Sequence, residues 1–210
     1  MITKFLPNTC PALHPSPKML GIDSGEVVLD IGPSGQPYEA ARWVVDLGED
    51  FTTSTQRIRK PNYFIFGKGE RLPFKNKALD FVFCHQVLEH SPEPISFVNE
   101  MCRVGKRGFC SVPHPLFEWM CPFDYHVSIF FEMNGEIYCR PRTKRERQLF
   151  GKFFHDLADE VENWHYIFGK NTWFYHLEWI WKDSFQLKSC KSLDFYGDPW
   201  IPKTTVSTIR

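Results

Sequence analysis

Acidic residues and exposed backbone follow two neighbouring candidate strands in the first quarter of the chain. Residues 27–37 read VVLDIGPSGQP, so Asp30 and a glycine-bearing turn come after strand-forming residues. Residues 43–46 read WVVD and end a second candidate strand on Asp46. Glycines let the backbone approach a ligand closely, while N–H groups and an acid can hold the polar atoms of a nucleoside-containing cofactor. The alternatives are an ordinary strand-ending turn and a strand cap.

Histidines follow the later candidate strands, where they could take part in acid–base chemistry. His85 comes after the fourth apolar run, His114 comes after the fifth, and His126 precedes a candidate hairpin. Histidine is the side chain that most often acts as a general base near neutral pH. No histidine or cysteine has the sequence spacing of a metal site, so we predict none. The alternative is that six of them converge on a metal in space: Cys84, His85, His90, His114, Cys121 and His126.

The composition is typical of a globular domain and gives no sign of a nucleic-acid partner. The chain has 210 residues, of which 42% are hydrophobic and 24% are charged. The 25 basic and 25 acidic residues cancel, so no basic surplus indicates nucleic acid or an anionic membrane. The sequence has no run of about 20 apolar residues, and its N-terminal stretch is interrupted by prolines, so we expect no membrane span and a cytoplasmic location. The seven scattered cysteines contain no CxxC pair, which predicts reduced and mostly buried thiols.

Short apolar runs alternate with loop or amphipathic segments between positions 26 and 115. This pattern predicts parallel strands joined by crossovers. A helix is predicted over Pro92–Arg103, where Ile95, Val98 and Met101 recur at helical spacing. The predicted strands are Val27–Ile31, Trp43–Asp46, Tyr63–Phe66, Leu79–Cys84 and Gly108–Val112. We therefore expect an α/β fold with a Rossmann-like doubly wound, mostly parallel sheet, helices on both faces and a shortened first crossover.

The last third of the chain has a different pattern. Asn134–Gly135 lies between two alternating apolar runs, which predicts a β-hairpin. Residues 143–163 carry apolar side chains on one stripe, which predicts an amphipathic helix. Tryptophans stand at positions 164, 173, 179, 181 and 200. They fit either core packing with an aromatic-rich helical cap, or a stacking platform for an acceptor.

The order of these motifs resembles a known family. The segments VLDIG, VVDL and GERLPFKNKALDFVFCHQVLEHSPEPISFVNEMCRVGKRGF are similar to the class I S-adenosylmethionine-dependent methyltransferases, in the small-molecule branch called type 11. The specific block is residues 69–108, with LPF, a spaced Asp, LEH, a proline-started helix and a basic ending. The resemblance implies one methyltransferase domain over residues 1–210. Residues 26–115 would be its cofactor-binding core, 1–25 an extended lead-in, and 116–210 a hairpin, helix and aromatic substrate-side region.

The resemblance also implies which residues hold S-adenosylmethionine. They are Asp30, Gly32, Pro33, Ser34, Gly35, Asp46, Gly69, Glu70, Leu72, Cys84, His85 and Gln86. The first five would lie beside the amino-acid end of the cofactor and Asp46 would hold the ribose. Residues 69–72 would adjoin the adenine, and residues 84–86 would pass between the methionine moiety and the acceptor. His85 and His114 are the candidate catalytic residues.

Three features depart from the family pattern. Ser34 and Gln36 stand where the family usually has glycines, and the first crossover is too short for a full helix. Lys68 stands where the family usually has an Asp that accepts from adenine, and an ammonium group has no lone pair to offer.

The functional prediction is transfer of a methyl group to an oxygen or nitrogen of a small or conjugated acceptor. The alternative, which the departures favour, is a catalytically inactive methyltransferase-like binding or scaffolding protein. A nucleic-acid or protein methyltransferase is disfavoured, because the fourth strand is followed by CHQV instead of an NPPY-like tetrapeptide. The sequence leaves the oligomeric state open.

Overall fold

The computed structural model describes residues 1–5, 14–33, 37–48, 63–144, 146, 175–194 and 203–206. Its strands are β1 (Ile2–Phe5), β2 (Val28–Ile31), β3 (Trp43–Asp46), β4 (Tyr63–Phe66), β5 (Leu79–His85), β6 (Gly105–Pro113), β7 (Ser128–Met133), β8 (Glu136–Pro141), β9 (His176–Lys182), β10 (Leu187–Asp194) and β11 (Lys203–Val206). The helices are α1 (Pro94–Val104) and α2 (Pro115–Met120), and a 3₁₀ turn spans Leu88–His90. Within these residues, neither α-helix is long and apolar enough to cross a membrane.

A seven-stranded sheet positions the residues singled out above. Its order is β1-β9-β6-β5-β2-β3-β4, and the five strands from β6 to β4 run parallel. Strand β9 is antiparallel to β6, and β1 is antiparallel to β9. The chain leaves β2 toward β3 on one side and later returns to β5 on the other side, so the carboxyl ends of β2 and β5 form a topological switch point. The predicted Rossmann-like, mostly parallel sheet is confirmed.

The central strands carry apolar residues continuously because both faces of the sheet are covered. One face forms the larger cluster, into which α1 packs Phe97, Val98 and Met101. The other face forms a smaller cluster, whose buried members are Leu20, Val28, Tyr38, Ala41, Phe81, Phe83 and Phe109. Leu20 belongs to the lead-in and Tyr38 to the first crossover. In the part of the chain that the structure describes, these two segments cover the face opposite α1.

The first crossover is short, as predicted. In its described part, residues 37–42 form a turn closed by a hydrogen bond of 2.9 Å from the Ala41 amide to the Tyr38 carbonyl. Strand β3 then begins at Trp43. The turn therefore brings Tyr38 back over the sheet immediately after β2.

Among the predicted elements, the observed boundaries differ most at the starts of β6 and α1. Strand β6 begins at Gly105, before the predicted start at Gly108, because it pairs with β5 from Leu79 onward. The glycines at both positions are required by packing. A Cβ on Gly105 would lie 2.6 Å from Val82, and one on Gly108 would lie 2.7 Å from the ring of Trp181. Helix α1 begins at Pro94 instead of Pro92.

A second sheet contains the predicted hairpin. Its order is β11-β10-β8-β7, with β7 and β8 antiparallel and β10 parallel to β8. Asn134 and Gly135 have φ angles of 55° and 78°, as a type I′ turn requires. Trp179 and Trp181 lie in β9 and are fully buried, so core packing is the correct interpretation for these two tryptophans. Almost all of the helix predicted over 143–163, and tryptophans 164, 173 and 200, lie outside the described residues.

Candidate active site

A cavity of about 350 Å³ lies at the switch point of the seven-stranded sheet. Its lining residues are His14, Asp30, Gly32, Pro33, Phe83, His85 and Gln86. Asp30, Gly32 and Pro33 stand at the end of β2, and Phe83, His85 and Gln86 at the end of β5. Five of the residues implied by the sequence resemblance are therefore brought together here. Ligand sites of open parallel sheets lie at this same place.

The sheet register sets a row of polar side chains beside the cavity. His85 of β5 pairs with Ser111 of β6, and Ser111 pairs with Glu178 of β9. Paired residues point to the same face, and so does His176, two residues before Glu178. Two residues before His85, this face presents the ring of Phe83. The face therefore changes from apolar to polar at the carboxyl ends of the parallel strands.

Asp30 is held by the first crossover. Its Oδ2 accepts a hydrogen bond of 2.7 Å from the Tyr38 amide. The Tyr38 hydroxyl donates to the Pro15 carbonyl at 2.9 Å, and its ring stacks on Phe83 with centroids 4.0 Å apart. Tyr38 thus fixes the Asp30 carboxyl, the lead-in and the cavity wall at once.

The Asp30 carboxyl is 2% exposed, and no described lysine or arginine forms an ion pair with it. Burial raises its pKa to about 7, and the nearby charge of Asp46 acts in the same direction, against the lowering effect of the Tyr38 amide. The cavity is therefore lined by an acid whose negative charge has no compensating cation among the described residues. A cationic ligand would supply that compensation.

His85 presents a neutral imidazole to the cavity. Burial lowers its pKa to about 3, and the neighbouring rings of His176 and His14 add to the effect. The His14 and His176 ring centroids lie 4.9 Å and 5.5 Å from that of His85. On the far side, Oε1 of Glu178 lies 3.6 Å from Nδ1 of His176. A chain of polar groups thus runs from the cavity to a buried carboxylate.

Gln86 has a backbone conformation that marks a constrained position. Its φ is 56°, in the left-handed region that bulky residues seldom adopt. The amide of Gln86 donates to the Ser111 carbonyl at 2.9 Å, and its Nε2 donates to the Ser111 hydroxyl at 2.8 Å. Strained residues of this kind cluster at ligand sites.

Gly32 has two structural requirements. Its φ is 69°, and a Cβ there would lie 2.7 Å from the Val87 side chain. Because Gly32 has no side chain, Val87 can pack against it. The Gly32 backbone also stays accessible to a ligand in the cavity. Ser34 and Gly35, the other implied members of this turn, lie outside the described residues.

The residues implied to hold ribose and adenine lie at the same edge of the sheet but do not line the described cavity. Asp46 accepts from the Gly48 amide at 3.0 Å, and Glu70 accepts from the Ser91 hydroxyl. A Cβ on Gly69 would overlap the ring of Phe97, so packing alone requires this glycine. The Leu72 side chain is buried in the core.

Two further predicted residues have other contacts. The Cys84 side chain packs in the cluster on the α1 face, opposite the cavity. His114 precedes α2, and its Nδ1 accepts from the Leu116 amide at 3.3 Å. The His114 amide donates to the Tyr175 carbonyl at 2.7 Å. The described cavity lining does not include His114, which acts here as a helix cap.

Sequence reasoning missed four residues of this site: His14, Tyr38, His176 and Glu178. His14 lies in the proline-broken lead-in, where no periodicity indicates its position. His176 and Glu178 reach the site through an antiparallel strand about 90 residues after β5. An alternating pattern in HLEWIWK, with histidine and glutamate on one side and tryptophans on the other, was the available signal.

A second polar cluster lies apart from the cavity-lining residues. Ligand atoms of Glu89, His90 and His126 lie within 4.8 Å of one another, as do those of His85, His176 and Glu178. The sequence spacing predicted neither grouping. Burial raises the pKa of Glu89 well above its usual range, and the Glu118 carboxylate adds to this effect.

Part of the chain is similar to known proteins. The family described as "Methyltransferase domain" matches residues 18–110. An uncharacterized methyltransferase of Mycobacterium leprae is 32% identical over 112 residues, which are 49% of this chain and 41% of the relative. An uncharacterized protein of Methanocaldococcus jannaschii is 31% identical over 94 residues, 44% of this chain and 42% of the relative. The chain thus spans about two fifths of the length of these relatives.

Among solved structures, the chain is similar to a SAM-dependent methyltransferase from Aquifex aeolicus. The identity is 15% and the TM-score is 0.44, over 78% of this chain and 85% of that one.

Proposed function

We propose that the chain is an S-adenosylmethionine-dependent methyltransferase of class I, type 11, because residues 18–110 match the family described as "Methyltransferase domain". Its acceptor would be an oxygen or nitrogen nucleophile of a small or conjugated molecule. The observation that carries the proposal is the Asp30 carboxyl, which is buried at the switch-point cavity without a described cation beside it. S-adenosylmethionine carries an ammonium and a sulfonium, so it has the charge that this carboxyl needs.

The chain's residues fit one end of such a cofactor. Asp30 would accept from its ammonium group, and the backbone at Gly32 and Pro33 would adjoin the amino-acid moiety. Asp46, Gly69 and Glu70 would serve the ribose and adenine, with Glu70 exchanging its contact to Ser91 for a ligand contact. When bound, the cofactor supplies an electrophilic methyl group.

His85 would receive the proton of the acceptor. A neutral imidazole at the cavity wall accepts a hydrogen bond from an O–H or N–H group and thereby orients its lone pair. The acceptor atom becomes far more acidic as it bonds to carbon, so a base of low pKa suffices for this proton. The Glu178 carboxylate, whose ligand atom lies within 4.8 Å of that of His85, would stabilise the positive charge that His85 gains.

The first experiment measures cofactor binding to the full chain by isothermal titration calorimetry. We expect saturable binding of S-adenosylmethionine at one site, weakened about tenfold or more in Asp46→Ala, since hydrogen bonds to charged groups contribute about 1.5–3 kcal/mol. Asp80→Ala is the matched control, because Asp80 lies near the opposite, amino end of β5. Absence of binding at millimolar cofactor would refute the proposal, and parent-like affinity in Asp46→Ala would refute the ribose assignment.

The second experiment identifies the acceptor class. Small molecules that co-purify with the chain are released and identified by mass spectrometry. A retained thioether product or a methylated compound would support catalysis and name the acceptor. The six described cysteines are buried and unpaired, which supports the reducing cytoplasmic setting in which such acceptors would be sought.

A second candidate function is cofactor binding without turnover. The contact of Glu70 with Ser91 and the presence of Lys68 beside it favour this alternative, because both reduce the acceptors available to an adenine. Cofactor binding with no product across a broad panel of alcohols, amines and carboxylates would support it. Any methylated product would exclude it.

A further inference from the structure

The cluster of Glu89, His90 and His126 is built by two segments that are distant in sequence. Glu89 and His90 lie in the 3₁₀ turn after β5, and His126 lies just before β7. The Val127 amide donates to the Glu89 carbonyl at 2.8 Å, and the Ser128 hydroxyl donates to the Ser91 carbonyl at 3.3 Å. These backbone contacts hold the three side chains in a fixed relation, with ligand atoms within 4.8 Å of one another.

The Glu89 carboxylate lacks the partners that a buried acid normally has. Its side chain is 1% exposed, and neither oxygen has a hydrogen-bond partner. Among the described residues, the ion-pair partner of Glu89 is His90, whose Nε2 lies 3.8 Å from Oε1, beyond hydrogen-bonding distance. Buried polar groups are almost always hydrogen-bonded, and an isolated buried carboxylate is costly. The unsatisfied Glu89 carboxylate therefore indicates that a positively charged ligand binds beside it.

A second carboxylate, that of Glu118, orients the His126 ring in a way that suits metal binding. Its Nδ1 is bonded to Oε1 of Glu118, whose Oε2 lies 2.8 Å from Nη1 of Arg142. A carboxylate that is paired with an arginine accepts hydrogen bonds, so Nδ1 of His126 is the donor to Glu118, and Nε2 is the ring nitrogen left to offer a lone pair. Carboxylate–histidine pairs of this form orient the histidines that bind metals.

The charges around the cluster also favour a cation. Glu89 and Glu118 are both 1% exposed, while Arg142 is the only arginine or lysine paired with either of them in the described ranges. His90 is 41% exposed, so it gives an ion a route from solvent. Two imidazoles and one carboxylate are a donor set for first-row transition metals, whereas magnesium and calcium prefer oxygen ligands alone.

We propose that Glu89, His90 and His126 bind a divalent first-row transition-metal ion, with Zn²⁺ as the probe cation. Three protein ligands leave one position of a tetrahedral site for water or another ligand. The ion would join the 3₁₀ turn after β5 to the segment before β7. The other grouping consists of His85, His176 and Glu178 and lies at the cavity. We assign it to the transfer of the acceptor's proton. The proposal does not depend on methyl transfer, because no cluster member lines the cavity.

The test uses the full chain, freed of metal with a chelator and then dialysed. Zn²⁺ binding is measured by calorimetry, and Co²⁺ is added separately to record the visible absorption of a four-coordinate site. We expect one equivalent per chain, at least 100-fold weaker binding in Glu89→Gln and His126→Asn, and 10- to 100-fold weaker binding in Glu118→Gln. His85→Asn is the matched control and should bind Zn²⁺ as the parent does.

Folding is checked by thermal unfolding in the presence of the chelator. Asn at position 126 can still donate to Glu118, and Gln at 89 removes a buried charge, so both variants should melt near the parent temperature without metal. Zn²⁺ should raise the melting temperature of the parent but not of these variants. The proposal is overturned by failure of the parent to bind Zn²⁺, by unchanged affinity in both variants, or by loss of binding in His85→Asn alone.

Discussion

Asp30→Asn should stabilise the fold and weaken the cofactor site at the same time. Asn keeps the shape of the side chain, and its carbonyl can accept from the Tyr38 amide as the carboxylate does. The change removes the charge and replaces one carboxylate oxygen with an amide NH₂ group. Both effects follow from the burial of Asp30 at the cavity.

The magnitude comes from the raised pKa of Asp30, from the ordinary 3.8 to about 7. At about 1.4 kcal/mol per tenfold change in proton affinity, this difference corresponds to about 4 kcal/mol. Between those two pH values the folded chain holds a proton at Asp30 that the unfolded chain has lost. The free energy of unfolding of the parent should therefore fall as pH rises from about 4 to about 7, and this contribution should be constant above that.

The assay is urea unfolding of the parent and Asp30→Asn from pH 4.5 to 8. Other titrating groups cancel in the difference between the two proteins. We expect the stability difference to change in the variant's favour by about 3 kcal/mol between pH 4.5 and 8. The unpaired amide N–H group costs about 1–3 kcal/mol at every pH, so it lowers the whole difference without changing its dependence on pH. At pH 8 the variant should bind S-adenosylmethionine roughly 10- to 100-fold more weakly, since it lacks a hydrogen bond to a charged group.

Asp80→Asn is the control with the opposite sign. The Asp80 carboxylate accepts from Lys106 at 2.7 Å and from the Val27 amide at 2.8 Å, and the lysine bond is the main cause of its lowered pKa. Its contribution to stability should be lost as pH falls, so this variant should differ most from the parent at neutral pH. A stability difference for Asp30→Asn that does not change with pH, or parent-like cofactor affinity, would refute the reasoning.

Three further predictions concern the base, a glycine and a buried ion pair. His85→Gln should lower kcat by about 10²–10⁴-fold with cofactor affinity within tenfold, measured by methyl transfer to the identified acceptor; an unchanged kcat would exclude the role of His85. Gly69→Ala should destabilise the fold by about 1–3 kcal/mol in urea unfolding because the new methyl overlaps the Phe97 ring, and Phe97→Leu should restore part of that loss. Arg142→Met should cost about 3–5 kcal/mol in thermal unfolding by leaving the buried Glu118 carboxylate without its arginine partner; a smaller loss than in an exposed-arginine control would contradict the pairing.

The strands and the hairpin were predictable because their signals are local. The apolar runs Val27–Ile31, Trp43–Asp46 and Leu79–Cys84 predicted β2, β3 and β5, and Asn134–Gly135 has the left-handed backbone of a type I′ turn. Parallel strands present their carboxyl ends at one edge of a sheet, so the sequence also predicted that Asp30 and His85 would meet there.

The sequence could not decide which glycines serve packing and which side chains face the cavity. The glycines at 69, 105 and 108 make room for a phenylalanine, a valine and a tryptophan that come from other elements. Cys84 and His85 are adjacent in sequence, but their side chains lie on opposite faces of β5. The segments that pack on those two faces decide which side chain lines the cavity.

Local sequence patterns were sufficient to predict where the core strands lie along the chain and which acids and histidine stand at their ends, because hydrophobic period and turn chemistry act between near neighbours. The fold, and no local pattern, brings His14, His176 and Glu178 beside His85 and brings His126 beside Glu89. These contacts depend on the pairing register of β9 with β6 and on the docking of the segment before β7. Such long-range pairing is fixed by packing between distant parts of the chain, which no local pattern encodes.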